Sequence, residues 1–174
     1  QVDLQVTAFI PADWIIDADE KMAAYRSAAE CVTSESLVEL AAIWADRYGA
    51  LPGPVQSLLQ LMDLKLLAKR CGFSRIRPEK PNIALETPME EPAFRLLRQG
   101  LPQHLHGRLV YQAGSGATAK VMARGLGVLP MEKQLEEIKS WLEQMAAQIP
   151  DADGLTADER EKQQTARNEA VLSV

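Results

Sequence analysis

The stretch from Ala45 to Pro54, with the sequence ADRYGALPGP, fixes where two helices meet. Gly49 is the residue type that most often ends a helix in the left-handed conformation. Pro54 suits the first turn of the next helix, where no backbone N–H is needed. Because the turn between them is so short, the two helices must pack as neighbours. The N-terminal half of the chain is therefore predicted to be a helical bundle.

Apolar residues at three- and four-residue spacing predict three helices in this half. Asp17 is the expected N-cap of the first, with Glu20 as its capping-box partner, and Thr33 or Ser34 caps the second. Gly72 closes the third helix, which has the broadest apolar face and is predicted to be the most buried. The first helix is expected to end near Glu30 and to place Met22, Tyr25, Ala29 and Val32 on one side.

Strand-like patterns flank the bundle. Residues 3–10 alternate between polar and apolar side chains and predict a strand that Pro11 ends. Beyond the third helix we expect strands at 74–77 and 82–86, a short helix at 91–99, a hairpin of 108–112 with 118–123, and a helix at 130–148.

The predicted fold class is α+β: an N-terminal strand and three-helix bundle, a small β-sheet with a hairpin, and a long C-terminal helix. Residues 1–150 are expected to form this domain. Residues 151–174 are rich in Asp, Glu, Lys and Gln and are expected to form a polar tail that is disordered or, at most, weakly helical.

Composition restricts the partners of the chain. Its 174 residues carry a formal net charge of −5, which argues against extensive nucleic-acid contact. No apolar run approaches the roughly 20 residues that a membrane span needs, and no signal peptide is visible. Cys31 and Cys71 lack metal or redox spacing and are expected to be reduced, buried thiols in a cytoplasmic protein. The chain does not begin with Met, and we expect it to be a segment of a longer polypeptide.

The sequence contains no convincing catalytic, metal or cofactor site. Residues 114–120 superficially resemble a phosphate-binding loop, but Lys120 falls in a strand pattern instead of opening a helix. His104 and His106 have no third ligand nearby and are expected to be exposed loop residues. We therefore expect that the domain is not an enzyme by itself, and that it needs no cofactor.

One basic cluster offers an alternative function. Its members are Lys65, Lys69, Arg70, Arg75, Arg77 and Lys80. They could contact phosphates and make the chain a nucleic-acid-binding module, or they could be an ordinary solvated face. The cluster includes no aromatic residue for base stacking.

Asp46 is the residue whose position is hardest to explain by folding alone. It lies in the last turn of a helix, where a carboxylate is unfavourable by about 0.3–1 kcal/mol because the backbone dipole is negative there. Arg47 points about 100° away around the helix axis and is a poor partner within the helix. We therefore expect Asp46 to contact something outside its own helix.

Two motifs together resemble a known family. The first is Pro-x-x-Trp-Ile-x-Asp at residues 11–17, and the second is Asp-Arg-Tyr-Gly-x-Leu-Pro-x-Pro at residues 46–54, with Tyr25-Arg26 between them. In order and spacing the chain is similar to the C-terminal domain of bacterial transcription-repair coupling factors (Mfd). The resemblance covers residues 3–149 and is strongest in the first 70.

This resemblance implies a non-catalytic domain of an ATP-dependent DNA translocase. Such a protein displaces stalled RNA polymerase from double-stranded DNA and recruits the repair protein UvrA. The resemblance further implies that the C-terminal domain docks on the N-terminal UvrB-like domain of the same polypeptide, masks the UvrA-binding surface and restrains the motor.

The docking residues that the resemblance implies are Asp46 and Arg47, together with a Glu three residues before the Asp in the family. Here that position is Ile43. Residues 43, 46 and 47 share one helix face, so we expect the contact to be more apolar and less ionic than in the family.

Overall fold

The computed structural model describes residues 1–150 and 157–172. Its N-terminal half contains three helices: α1 at Ala18–Glu30, α2 at Ser34–Tyr48 and α3 at Gly53–Cys71. The predicted caps are confirmed at Asp17, Thr33, Gly49 and Gly72, and both glycines have a φ of 89°, which other residues rarely adopt. The turn at 49–54 therefore places α2 and α3 side by side.

The C-terminal half is built on one antiparallel sheet. Its strands are β1 at Arg75–Glu79, β2 at Asn82–Thr87, β3 at Leu109–Gln112 and β4 at Ala119–Ala123. The strand order is β1-β2-β4-β3. Two helices complete this half: α4 at Glu91–Arg98 and α5 at Met131–Ala146, which packs along α3. The predicted α+β class and the hairpin are confirmed.

The described residues form two hydrophobic cores that share α3. The helical core lies among α1, α2 and the start of α3, and its buried members are Ile10, Ile15, Ala24, Ala28, Trp44 and Val55. The sheet core lies among the second half of α3, the sheet, α4 and α5, and includes Leu64, Ile76, Ile83, Phe94, Val121, Ile138 and Trp141. The protein thus has a helical layer and a sheet layer.

The strand predicted at residues 3–10 is wrong. The segment does not join the sheet as a strand. The residue just before it, Val2, makes a single parallel bridge with Ile76. The segment then continues to α3, where the Phe9 N–H donates to the Pro54 carbonyl at 3.3 Å. Its alternation has a different cause, because Leu4 and Ile10 are buried against the two cores.

The apolar side predicted for α1 is not the side that the structure buries most deeply. The helix buries Ala24 and Ala28, while Met22 and Val32 are exposed. Tyr25 is half-buried against the helical core, where its hydroxyl accepts a hydrogen bond from the Ile10 N–H at 2.8 Å.

The C-terminal region differs from the expected disordered tail. Residues 157–172 form a helix, α6, whose described side chains are exposed. Charged and Gln side chains are good helix formers, so local propensity can favour a helix without burial. The remainder of the expected tail, 151–156 and 173–174, lies outside the described residues, and the domain boundary at residue 150 stays a prediction. Among the described helices, none is long and apolar enough to cross a membrane.

Candidate docking site

The last turn of α2 presents the predicted docking residues on the surface. Thr33 fixes the start of the helix through a reciprocal capping box with Ser36, and Gly49 fixes its end. Trp44 is buried in the helical core, which orients the helix so that Ile43, Asp46 and Arg47 face away from it. The structure therefore brings the three residues together on one exposed face, as their spacing predicts.

Asp46 has no hydrogen-bond or ion-pair partner among the described residues. It is exposed, and it lies in the last turn of α2, where a carboxylate opposes the backbone dipole. Ile43, one turn away, is 59% exposed. The outer face of α2 thus combines an uncompensated carboxylate with a large apolar side chain.

Arg47 contacts both α1 and the last residue of its own helix. Its Nη2 lies 2.6 Å from Glu20 Oε1, and its guanidinium lies 5.3 Å from the centre of the Tyr48 ring. The Arg47 and Glu20 side chains are 61% and 43% exposed, so solvent screens the ion pair and it contributes about 0–1 kcal/mol. Arg47 is therefore positioned by a contact weak enough to be exchanged.

The sequence predicts a different role for Glu20, as the capping-box partner of Asp17. Half of the predicted capping box is present, because the Glu20 N–H donates to Asp17 Oδ1 at 2.9 Å. The Glu20 side chain, however, bonds Arg47, which lies 27 positions along the chain. No local pattern signals such a long-range pair.

A shallow groove of about 510 Å³ adjoins this pair and was not predicted. Trp14, Ile16, Glu20 and Tyr48 are among its lining residues. The sequence signal was the Trp14-Ile15-Ile16 run, of which Ile15 is buried and Ile16 is exposed. The groove adds apolar surface next to Arg47.

The arginines of the predicted basic cluster are engaged inside the domain. Arg75 lies 2.6 Å from Asp3, and Arg77 lies 2.8 Å from Glu86 and 3.3 Å from Glu79. These carboxylates neutralise the strand arginines, which reduces their attraction for phosphate.

Three of the other members of the cluster lie on α3 and one lies at a turn of the sheet. Lys65 and Lys69 are exposed on α3, and Lys80 is exposed at the turn between β1 and β2. Arg70 donates a hydrogen bond to the Ile149 carbonyl at 3.1 Å. The structure therefore does not bring the predicted nucleic-acid residues into one uncompensated strip, and no specific observation favours that function.

A partly buried polar network joins the two layers at the start of α2, at the opposite end of the helix from the candidate site. Asp63 on α3 accepts a hydrogen bond from the Ser34 hydroxyl at the start of α2, and it lies 3.0 Å from Lys139 Nζ on α5. Burial alone lowers the pKa of Lys139, but the hydrogen bond and charge of Asp63 and the charge of Glu143 outweigh it and raise that pKa. The network fixes α2 relative to α5.

The remaining candidates show no arrangement for catalysis. His104 is exposed, while His106 is partly buried with its Nε2 2.8 Å from the Leu101 carbonyl. Within the part of the chain that the structure describes, no group of His, Cys, Asp and Glu could hold a metal ion. Burial raises the pKa of the Cys71 thiol to about 12, so this cysteine is a poor nucleophile.

The fold is that of a small α+β domain, and comparison with known proteins gives its family. The model of the TRCF domain matches residues 4–93, more than half of the chain. The chain therefore belongs to the TRCF domain family. Its fold is also that of the crystal structure of the C-terminal domain of transcription-repair coupling factor, with a TM-score of 0.65, 18% identity, and coverage of 83% of this chain and 90% of that one.

Curated relatives bear the same family name. The transcription-repair-coupling factor of Escherichia coli K12 is 28% identical over 108 residues, which are 60% of this chain and 9% of that protein. The one from Bacillus subtilis is 26% identical over 150 residues, or 80% of this chain and 13% of that protein. The chain thus spans a small part of the length of these relatives.

Proposed function

We propose that this chain is a non-catalytic regulatory domain of a transcription-coupled DNA repair translocase. It docks on the N-terminal UvrB-like domain of the same polypeptide, masks the surface that binds UvrA, and restrains the motor. RNA polymerase, UvrA and double-stranded DNA are then partners of the parent protein. The observation that carries the proposal is Asp46, an exposed carboxylate at an unfavourable helix end with no partner among the described residues.

The contact residues on this side are Ile43, Asp46 and Arg47. Asp46 is available for a cation on the partner, and Arg47 can exchange its exposed bond with Glu20 for a carboxylate on the partner at little cost. Ile43 adds apolar area beside them. The domain therefore offers charges of both signs and an apolar side chain within about one helical turn.

Such a contact can act as a reversible latch. Domains joined in one polypeptide face each other at an effective concentration of about a millimolar, so weak contacts suffice to keep them docked. Hydrogen bonds to charged groups contribute about 1.5–3 kcal/mol each. Two of them can decide between the docked and the released state without making release impossible.

The proposal is tested by binding of this chain to the UvrB-like half of the parent protein, immobilised on a sensor surface. The wild-type chain should bind, and Asp46→Ala/Arg47→Ala should bind at least about tenfold more weakly because two charge-assisted contacts are removed.

The matched control is Glu91→Ala/Arg95→Ala on α4, which also removes one exposed carboxylate and one exposed guanidinium, here paired with each other at 3.0 Å on the sheet layer. It should bind like wild type. Undetectable wild-type binding, or equal loss in both double variants, would contradict the proposal.

A further inference from the structure

Three arginines of the sheet layer have no carboxylate partner. Arg98 is the last residue of α4, Arg108 ends the short 3-10 helix that leads into β3, and Arg124 follows β4. None of the three makes an ion pair among the described residues, whereas Arg95, on the same helix as Arg98, pairs with Glu91. These three positive charges are therefore not neutralised within the described part of the domain.

Two side-chain contacts bring the three arginines together. Arg98 Nη1 donates to the His106 carbonyl at 3.4 Å, and His106 lies two residues before Arg108 in the same 3-10 helix. Arg108 Nη2 donates to the Arg124 carbonyl at 3.0 Å. Because the acceptors are neutral carbonyls, these bonds position the guanidinium groups without cancelling their charge. Arg98, Arg108 and Arg124 thus form one basic surface, here named the arginine patch.

Buried aromatic rings support two members of the patch. The guanidinium of Arg98 lies 5.6 Å from the centre of the Phe94 ring, and that of Arg108 lies 5.2 Å from the Trp141 ring. Both rings belong to the sheet core and are at most 2% exposed. A cation–π contact of this kind holds a guanidinium in place and leaves its positive charge available.

The fold does not satisfy the arginine patch completely. Arg98 Nε is buried and has no hydrogen-bond partner among the described residues, although buried polar atoms are normally paired. Arg98 and Arg108 are only partly exposed, so solvent screens their charge less than that of a free side chain. Glu137 lies one turn before Trp141 on α5, but it makes no ion pair among the described residues. The patch therefore gains from an external anion.

The anion that suits the patch is the carboxylate of a protein. A planar guanidinium matches carboxylates and phosphates equally well, so the surroundings decide between them. The net charge of −5 repels a long polyanion such as DNA, whereas a short acidic segment has to reach only the patch. Phe94 and Trp141 are buried beneath the arginines and cannot stack on nucleic-acid bases.

We infer that the arginine patch binds a segment of a protein partner that is rich in Asp and Glu. Arg98 and Arg108 supply positioned donors, and the exposed Arg124 adds a third charge beside them. Arginines held in this way are typical of the residues that dominate protein interfaces. The patch shares no residue with the docking site on α2, so this inference goes beyond the proposed function and does not depend on it.

The test measures binding of the chain to a short fluorescein-labelled peptide in which Glu alternates with Ser, by fluorescence anisotropy at low salt. The wild-type chain should bind this peptide and should not bind its counterpart with Gln in place of Glu. Arg98→Gln/Arg108→Gln should weaken binding by at least about tenfold, because two charge-assisted contacts are removed.

The matched control is Arg26→Gln/Lys65→Gln, which removes two exposed positive charges from α1 and α3 and changes the net charge equally. It should bind like wild type. Equal loss in both double variants would mean that only net charge matters, and would overturn the inference.

A second variant covers the case in which Arg98→Gln/Arg108→Gln does not fold, which urea unfolding reports. Arg124→Gln changes an exposed side chain and should leave the fold intact. It should weaken binding of the Glu peptide by about two- to fivefold, as expected for an exposed charge pair. Unchanged binding in this variant, together with loss of folding in the other, would overturn the inference.

The remaining outcomes separate ligand classes and proposals. Binding of duplex DNA that is tighter than binding of the Glu peptide, and is lost in Arg98→Gln/Arg108→Gln, would overturn the assignment to a protein partner. No binding of the Glu peptide by the folded wild-type chain would overturn the patch itself. Asp46→Ala/Arg47→Ala should bind the peptide like wild type, so failure of the docking proposal and failure of this inference are distinguishable.

Discussion

Charged side chains around β1 in the sheet layer pair with one another, whereas those at the end of α2 in the helical layer are unpaired or only weakly paired. On the sheet, Arg75 pairs with Asp3, and Glu79 pairs with Lys120 at 2.8 Å, so neighbouring charges are neutralised within the domain. At the end of α2, Asp46 is unpaired, and Arg47 makes one exposed bond to α1. Both layers have a well-packed core, so this difference is one of surfaces.

The contrast separates residues that maintain the fold from residues available to a partner. A surface whose charges are already paired gains little from a new contact. A surface with an uncompensated carboxylate and the exposed side chains of Ile16 and Ile43 gains more. We therefore expect substitutions among the paired charges and in the core of the sheet layer to change mainly stability, and substitutions at the α2 end to change mainly binding.

The largest loss of stability should follow Phe94→Ala in the sheet core. Phe94 is 1% exposed, and its ring stacks on Tyr111 with centres 5.9 Å apart. Its removal should lower the free energy of unfolding by about 3–5 kcal/mol, because a large cavity remains. Urea unfolding measures this. Leu96→Ala on the same helix is the control; Leu96 is 66% exposed, and its change should stay within about 0.5 kcal/mol.

Asp63→Ala tests the link between the layers and should have an intermediate effect. The change leaves the half-buried Lys139 ammonium and the Ser34 hydroxyl without their carboxylate. The expected loss is about 1–3 kcal/mol in the same unfolding experiment. Asp63→Asn keeps a side chain of the same shape and should lose less. Equal stability of Asp63→Ala and wild type would show that the network does not join the layers.

Low pH should reduce the stability of the sheet layer, because its paired carboxylates become protonated. The hydrogen bond from Arg75 holds the pKa of Asp3 below its ordinary 3.8, and the one from Lys120 holds the pKa of Glu79 below 4.5. A carboxyl with a lowered pKa stabilises the folded state above its unfolded pKa, and this contribution is lost as the pH falls through the folded pKa.

The stability advantage of wild type over Asp3→Asn should therefore be constant near neutral pH and shrink below about pH 4. Unfolding curves recorded from neutral pH to well below about pH 4 measure this advantage. Asp13→Asn is the control, because Asp13 makes no ion pair among the described residues. A constant difference at every pH would contradict the assignment of this pair.

The smallest change in the free energy of unfolding should come from Asp46→Asn, which should increase it instead of lowering it. Removing the carboxylate from the last turn of α2 should raise the stability of the isolated chain by about 0.3–1 kcal/mol. Asp19→Asn, in the first turn of α1 where a carboxylate is favourable, should lower it. If Asp46→Asn instead destabilises the chain, Asp46 has an internal role, and its availability for docking is in doubt.

Local signals predicted most of the fold. Caps and stop residues such as Thr33, Gly49 and Gly72 act within a few positions, so the ends of α2 and α3 agree with expectation. Residues 3–10 were misread because alternation reports which side chains are buried and says nothing about whether the backbone pairs. The helix at residues 157–172 was expected to be weak at most because its sequence lacks an apolar face.

The candidate site was predictable only in part. The shared face of Ile43, Asp46 and Arg47 follows from helical spacing. The bond from Arg47 to Glu20 and the groove beside it depend on how α1 packs against α2, which no local pattern encodes. The ion pairs of the strand arginines were also unpredictable, because their carboxylate partners are distant in sequence and are brought close only by the folded sheet.

The most direct test of docking uses the full-length parent protein, where the domain is tethered to its proposed partner. Affinity for UvrA and basal ATPase rate are measured for wild type, for Asp46→Ala/Arg47→Ala and for the Glu91→Ala/Arg95→Ala control. The docking variant should bind UvrA more tightly and hydrolyse ATP faster, while the control matches wild type. Unchanged UvrA affinity and unchanged ATPase in a folded docking variant would contradict the proposal that this surface restrains its own polypeptide.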